Sequence, residues 1–217
     1  MQNILVLAAH PDDETLGCGG TIARLASEGH KIKLITFTDG VSSRVDNQLE
    51  NRNQQLEKVA KTLGIDSYAS GDFPDNQIDS IPLLKLCHFI EKECKDFLPD
   101  IIFTHHPDCL NIDHSLVYRA TITVFRPQNG KKQSILSYYV PSSTNYNPFV
   151  RSGSHTYYIL DENAIQHKIK ALKIYDEEMR TYPHTRSYQN IMNLAKVNGS
   201  EIGTIYAEKF LIIRNIY

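Results

Sequence analysis

The sequence has 217 residues, a length that favours one domain with a hydrophobic core of its own. Hydrophobic residues make up 41 % of the chain and charged residues 22 %, values typical of a globular protein. The formal net charge of −2 leaves no basic excess for a phosphate backbone, so we expect no nucleic acid as a partner.

The first apolar run is too short to cross a membrane. Ile4–Ala9 falls far below the roughly 20 residues that a spanning helix needs, and it runs directly into His10, Asp12 and Asp13. It also lacks the basic start and cleavage site of a signal peptide. The 4 cysteines form no C-x-x-C pair and are expected to stay reduced. We therefore predict a cytoplasmic protein with no membrane span.

Apolar runs alternate with amphipathic stretches along the first half of the chain. The predicted elements are a strand at Ile4–Ala9, a helix at Thr21–Glu28, a strand at Lys31–Thr38, a helix at Gln48–Leu63, a weak strand at Ile65–Ser70, a helix at Asp79–Leu98 and a strand at Asp100–Thr104. Such continuous apolar runs are typical of strands that are buried on both faces of a parallel sheet.

The second half continues the alternation less regularly. Its predicted elements are a helix from Asn111 to about Phe125, a strand at Ile135–Val140, a strand at Tyr157–Leu160, helices at Asp161–Met179 and Gln189–Lys196, and a strand at Phe210–Ile216. This order predicts an α/β fold with a mostly parallel sheet and helices on both faces. We treat residues 1–217 as one domain whose part after about residue 140 could form a lid or a small lobe.

A histidine and three carboxylates crowd the end of the first predicted strand, in Ala9-His10-Pro11-Asp12-Asp13-Glu14. Charged groups this close together are costly to bury unless a cation compensates them. His10 and Asp13 are three apart across a turn and can reach one ion, which leaves Asp12 free to act on a water molecule. The alternative is that Asp12 or Asp13 only caps the following helix.

A second polar cluster follows the strand at Asp100–Thr104, and ligands of parallel sheets collect beyond such strand ends. His114, in the first turn of the next helix, is well placed to supply a third metal ligand. Asp113 or a backbone carbonyl can orient a neighbouring imidazole. His105 and His106 can equally be loop histidines. Two histidines and one carboxylate leave a zinc ion with an open position, which indicates a catalytic site that hydrolyses a carbonyl compound.

Five segments carry a resemblance to a known family: Ala9-His10-Pro11-Asp12-Asp13-Glu14, Gly17-Cys18-Gly19-Gly20-Thr21, Asn111-Ile112-Asp113-His114, Pro183-His184-Thr185-Arg186-Ser187 and Ile205-Tyr206-Ala207-Glu208-Lys209-Phe210. They resemble the LmbE-like, or PIG-L, deacetylases. The resemblance implies a Rossmann-like fold. It also implies hydrolysis of the N-acetyl group of an amino sugar or N-acetylglucosaminyl-type conjugate, with release of acetate and the free amine.

The resemblance also implies roles for single residues. His10, Asp13 and His114 are then the ligands of Zn²⁺, although another divalent metal can fill such a site. Asp12 is then the general base that activates water. Arg52 is similar to a substrate-binding arginine of the family, and the alternative is an exposed charge on a helix.

Asn111 stands where several family members carry a histidine that assists the reaction. An asparagine can donate a hydrogen bond but supplies no proton at neutral pH, so we assign Asn111 to substrate binding. The proton donor is then another group or Asp12 itself. The candidates for that catalytic group are His106 and His184. We predict His106, because it neighbours the metal cluster in sequence, and we expect His184 to contact the substrate instead.

Two other functions stay open. The first is a carbohydrate-binding protein that kept the fold and lost activity. The second is a nucleotide-cofactor enzyme, suggested by Gly17-Cys18-Gly19-Gly20, although this segment does not match the G-x-G-x-x-G pattern. Tight packing of the first helix on the sheet is the simpler explanation of these glycines. The expected partner is a small N-acetylated sugar, and the family resemblance also implies a homo-oligomer.

Overall fold

The computed structural model describes residues 1–41, 49–128, 132–150 and 153–216, with the backbone alone for 49–51. Its strands are β1 (Asn3–Ala8), β2 (Lys31–Thr38), β3 (Ser67–Phe73), β4 (Ile101–His105), β5 (Ser134–Tyr138), β6 (His155–Leu160) and β7 (Tyr206–Arg214). Its α-helices are α1 (Asp13–Ser27), α2 (Leu49–Leu63), α3 (Leu83–Glu93), α4 (Ile112–Val124), α5 (Glu162–Ile174) and α6 (Tyr188–Ser200). Short 3₁₀ turns lie at Ile78–Ser80 and Asp176–Glu178.

The strands form one mixed sheet in the order β3-β2-β1-β4-β5-β7-β6. Strands β1 to β5 are mutually parallel, whereas β7 pairs antiparallel with both β5 and β6. The prediction of a mostly parallel α/β sheet is therefore confirmed. The less regular part after residue 140 adds its two strands to this same sheet.

The core consists of two layers, one on each face of the sheet. Ile4, Val6 and Ala8 of β1 pack towards α1, α2 and α5. Leu5 and Leu7, which alternate with them, pack towards α3 and α4 on the other face. All five side chains are completely buried. A strand covered on both faces needs apolar residues at every position, which is why β1 is a continuous apolar run.

Two predicted helices are shorter in the structure. The helix predicted at Asp79–Leu98 is replaced by a 3₁₀ turn and by α3, because Ile81 is extended before Pro82 and breaks the helix there. The helix predicted at Asp161–Met179 ends with α5. Asp161 does cap it as predicted, since its side chain accepts a hydrogen bond from the Ala164 N–H.

Helix α1 begins at Asp13, eight residues before the predicted start at Thr21, and Cys18 interrupts it with non-helical backbone angles. Side chains from the second half of the chain satisfy the backbone groups freed at this kink. The Glu208 carboxylate accepts hydrogen bonds from the N–H groups of Gly20 and Thr21, at 3.2 and 2.7 Å. A residue of α5 completes the arrangement, because Lys168 Nζ donates to Glu208 and to the Leu16 carbonyl.

The glycines of this segment allow α1 to lie close to the sheet. A Cβ on Gly17 would come within 2.2 Å of the Tyr138 ring, and a Cβ on Gly20 within 2.5 Å of Leu160. This supports the packing explanation of the glycines. Among the residues that the structure describes, no helix is long and apolar enough to cross a membrane.

Candidate metal and catalytic site

The two polar clusters meet at the carboxyl ends of β1 and β4. These strands are parallel neighbours, with Val6 opposite Phe103, so the segments that follow them leave the same edge of the sheet. His10 follows β1 and Asp13 opens α1, while His114 lies in the first turn of α4. The topology therefore brings together side chains that are about a hundred positions apart in the sequence.

Three atoms of metal-ligand type converge here. Asp13 Oδ2 lies 3.0 Å from His10 Nδ1 and 3.2 Å from His114 Nε2. The two ring nitrogens are 3.2 Å apart. The other carboxylate oxygen, Asp13 Oδ1, is buried and has no hydrogen-bond partner in the described part of the chain. An orphaned buried carboxylate oxygen beside two facing imidazole nitrogens fits a divalent cation, and this donor set suits zinc.

The outer nitrogen of His10 is held by carboxylates. His10 Nε2 lies 3.1 Å from Asp113 Oδ2 and 3.3 Å from Asp75 Oδ1. Asp113 is itself fixed, because it accepts hydrogen bonds from the N–H groups of Asn76 and Ile78. Burial acts to lower the pKa of His10, but the surrounding carboxylates outweigh burial and raise it to about 10. Asp113 therefore has the position expected of a residue that orients an imidazole.

A thiol holds the outer nitrogen of His114. Cys109 Sγ lies 3.1 Å from His114 Nδ1, and Thr144 Oγ1 donates to the same sulfur at 3.5 Å. Burial acts to raise the pKa of the Cys109 thiol, but the contacts with His114, Thr144 and the backbone of Asn111 together outweigh burial and lower it. This contact leaves Nε2 of the ring directed at Asp13.

His105 lies beside the cluster with its Nε2 already in use. That atom accepts a hydrogen bond from the Ala9 N–H at 2.8 Å and lies 3.2 Å from the Tyr138 hydroxyl, which donates to the Leu7 carbonyl. Its distance to Asp13 Oδ2 is 3.6 Å. Burial lowers the pKa of His105 well below its ordinary value, so the ring is neutral. We infer that His105 supports the end of β1.

Asp12 projects beside the three converging side chains from a strained backbone, with φ 135°. Its N–H donates to Glu14 Oε2 at 3.0 Å, and its Oδ2 accepts a hydrogen bond from Arg186 Nη1 at 3.0 Å. Burial raises the pKa of Asp12 to about 7, and Arg186 opposes that shift only in part. A carboxylate with a pKa near neutrality is suited to take up and return a proton.

A polar cavity of about 110 Å³ opens over these groups. Its lining includes His10, Asp12, Asn111, His114, Glu178 and Arg186. Asn111 also has a structural role at the start of α4, because its Oδ1 caps the Asp113 N–H and its Nδ2 donates to Asn76 Oδ1.

The model of the PIG-L family, described as GlcNAc-PI de-N-acetylase, matches residues 5–125. The chain belongs to the PIG-L family. It is 32% identical over 149 residues to YaiS of Escherichia coli K12, described as an uncharacterised deacetylase, and the match covers 65% of this chain and 76% of YaiS.

Other relatives match shorter segments or the fold. A 1D-myo-inositol 2-acetamido-2-deoxy-alpha-D-glucopyranoside deacetylase of Rhodococcus erythropolis is 50% identical over 44 residues, which is 20% of this chain and 15% of that protein. The N,N'-diacetylchitobiose deacetylase of Pyrococcus horikoshii, a solved structure, superposes with a TM-score of 0.76 at 20% identity. That superposition covers 98% of this chain and 84% of the other, and it shows a shared fold.

Several residues singled out in this PIG-L chain lie away from the polar cavity. His106 lines a larger cavity of about 270 Å³, together with Gly17 and Lys168. It is the residue after the last residue of β4, and successive strand residues point to opposite sides, so His105 and His106 diverge. The structure therefore does not place His106 beside Asp12, where a proton donor to the substrate would lie.

Arg52 and His184 also differ from their predicted positions. The Arg52 side chain is only 2% exposed, donates to Glu178 and to the Pro11 carbonyl, and lies over the Tyr175 ring. It holds a cavity-lining side chain in place and does not line the cavity itself. His184 Nδ1 accepts a hydrogen bond from the Arg186 N–H, so it shapes the loop that carries this arginine.

The cavity also contains groups that the sequence pattern left without a role. Arg186 belongs to the segment Pro183–Ser187 that resembles the PIG-L family, but nothing in that segment indicates that Asp12 is its partner. Glu178 lies near both Arg52 and Arg186. For Cys109, which contacts His114 outside the cavity lining, the sequence predicts only a reduced thiol. The contacts of Arg186, Glu178 and Cys109 depend on tertiary packing. The family resemblance of the segment around Arg186 was the only local indication that any of them belongs to the site.

Proposed function

We propose that this protein is a zinc-dependent deacetylase, which hydrolyses the N-acetyl group of an amino sugar or an N-acetylglucosaminyl-type conjugate. The observation that carries the proposal is the convergence of His10, Asp13 and His114, with an orphaned carboxylate oxygen, beside a cavity that contains Asp12. The relatives' names, which refer to deacetylases of N-acetylated sugars, support the substrate class.

His10, Asp13 and His114 would hold the cation. When bound, it would act as a Lewis acid on the acetamide carbonyl and would make a nearby water molecule more acidic. Asp113 and Cys109 keep the two imidazole rings oriented, so that their ligand nitrogens stay directed at Asp13.

Asp12 would perform both proton transfers. It takes one proton from the attacking water as the new C–O bond forms, and it returns that proton to the leaving nitrogen as the C–N bond breaks. The products are acetate and the free amine. This assignment replaces His106 as the proton donor, because His106 and His184 are not among the residues that line the cavity.

The size of the cavity supports a small reacting group. The cavity of about 110 Å³ is small beside the roughly 300–1,000 Å³ of pockets that enclose a drug-sized ligand. It suits an acetamido group whose sugar and aglycone extend towards solvent. Asn111, which also lines the cavity, already binds Asn76 and the Asp113 N–H through its side chain. It would contact the substrate through the second amide hydrogen and the second lone pair of its carbonyl oxygen.

The test combines metal analysis with a reaction assay. We expect about one zinc per chain in the purified protein, acetate release from N-acetylglucosamine conjugates, and loss of that release after chelation. D12N should keep the metal and lose turnover, since it removes the base and leaves the ligands. Sugar binding without acetate release would favour the carbohydrate-binding alternative, and failure of H114A to reduce metal content would contradict the ligand assignment.

We also propose a cytoplasmic location. All four cysteines are free and buried, as expected of a protein in a reducing compartment. A homo-oligomeric state stays a prediction from the family resemblance.

A further inference from the structure

The loop before α6 places the guanidinium group of Arg186 in the polar cavity. The proposed function gives this group no role. Arg186 Nη1 donates to Asp12 Oδ2 at 3.0 Å, across 174 positions of sequence. Among the described residues that line the cavity, Arg186 is the one arginine, and no lysine lines it. A guanidinium in contact with the proposed base can influence the reaction through that base.

The guanidinium is fixed from the side opposite Asp12. Arg186 Nε donates to Ser142 Oγ at 2.7 Å and to the Pro141 carbonyl at 3.2 Å. Ser142 itself has a positive φ of 69°, a conformation that the surrounding structure must hold in place. The Arg186 side chain is only 17% exposed. Such anchoring orients the planar fork before any substrate arrives.

This contact distinguishes the two oxygens of Asp12. Oδ2 accepts the hydrogen bond from Arg186, and no other hydrogen bond within the described part of the chain reaches the Asp12 carboxylate. The terminal torsion of an aspartate is broad, so an unrestrained carboxylate would rotate between several orientations. A charge-assisted hydrogen bond to one oxygen restricts that rotation.

We propose that Arg186 is a positioning residue, which holds Asp12 Oδ2 so that Oδ1 is the oxygen that exchanges the proton with water and with the leaving nitrogen. The inference rests on the proposed function. The loop Pro183–Ser187 then serves to present the guanidinium to Asp12. His184 stabilises this loop, because its Nδ1 accepts a hydrogen bond from the Arg186 N–H.

The test compares R186A with R180A, a matched control. Arg180 lies six positions earlier in the same connection, is exposed, and donates to the carbonyls of Glu177 and Met179. We expect R186A to lower kcat about 10- to 100-fold with little change in KM, because misplacing a reacting group costs up to about 100-fold. Metal content should stay at the parental level, and R180A should behave like the parent.

Chemical rescue separates positioning from a general structural effect. Added guanidinium should restore part of the kcat of R186A, because it can occupy the space left by the side chain, and it should not restore D12N. A parental kcat in R186A, or a loss that guanidinium does not relieve, would overturn the inference. Should R186A fail to fold, R186K replaces it: a lowered kcat at parental melting temperature supports the inference, and a parental kcat overturns it.

The two proposals fail in different ways. If the parent releases no acetate from any conjugate, the proposed function falls and this inference falls with it. If the parent is active and metal-dependent while R186A matches it, only the role of Arg186 is wrong.

Discussion

At the scale of single residues, the orientation of His114 depends on a sulfur atom. Imidazoles that bind metals usually donate their outer N–H to a carboxylate, a carbonyl or water. His10 follows this pattern through Asp113, whereas His114 uses the Cys109 thiol, which is itself fixed by Thr144. The two histidines of the candidate site are therefore held by different chemistry.

Replacing this thiol should weaken metal binding. We expect C109A to lower metal affinity at least about 10-fold, because the outer nitrogen of His114 loses its partner. C109D should recover part of the affinity through a carboxylate. Competition with a chromophoric chelator measures the effect. C87A, which truncates another buried cysteine in α3, is the control, and an equal loss in both variants would mean that Cys109 only packs.

At the scale of elements, the kink in α1 depends on a buried ion pair. Glu208 caps the N–H groups after the kink, and Lys168 binds the Leu16 carbonyl before it. Both residues are only 5% exposed. The ion pair thus joins β7 and α5 to the helix that begins with Asp13.

Removing one member of this pair should be strongly destabilising. We expect E208A to lower the free energy of unfolding by about 3–5 kcal/mol, because Lys168 is left buried without its counter-charge. Denaturant unfolding measures the change. E201A is the matched control: Glu201 pairs with Lys209 at the surface, and such pairs contribute at most about 1 kcal/mol. Similar losses in the two variants would contradict the structural role given to Glu208.

At the scale of the whole molecule, the proposed metal would join the end of β1 to the start of α4. An unfolded chain does not bring His10 and His114 together, so the ion binds the folded state selectively and stabilises it. At a free metal concentration of about 100 Kd, the bound ion raises the free energy of unfolding by about 2.7 kcal/mol.

This gain should appear in thermal unfolding. It corresponds to a rise in Tm of about 5–10 °C for a chain of this size. H114A should abolish the rise, whereas H88A, which removes an exposed histidine on α3, should preserve it. An equal metal-induced rise in H114A would place the ion elsewhere.

How much the sequence predicts also depends on scale. The strands and the cluster around His10 were predictable because their signals are local: an apolar run, then charges at its end. The prediction that His106 is a catalytic group has a local cause as well. His106 neighbours His105 in sequence, but its side chain points to the opposite side and lines the other cavity. The contact between Arg186 and Asp12 depends on how α5 and α6 pack, and no short segment encodes it.

The position of β7 has a consequence for the order of folding. This last strand of the sheet lies between β5 and β6, and β6 pairs with no other strand among the described residues. During synthesis β6 emerges well before β7, with α5 and α6 between them in the chain. The backbone N–H and C=O groups of β6 therefore have no strand partner until β7 is synthesised. The five parallel strands can already assemble by then. We expect the edge of β5 to be the surface most open to mispairing in the nascent chain.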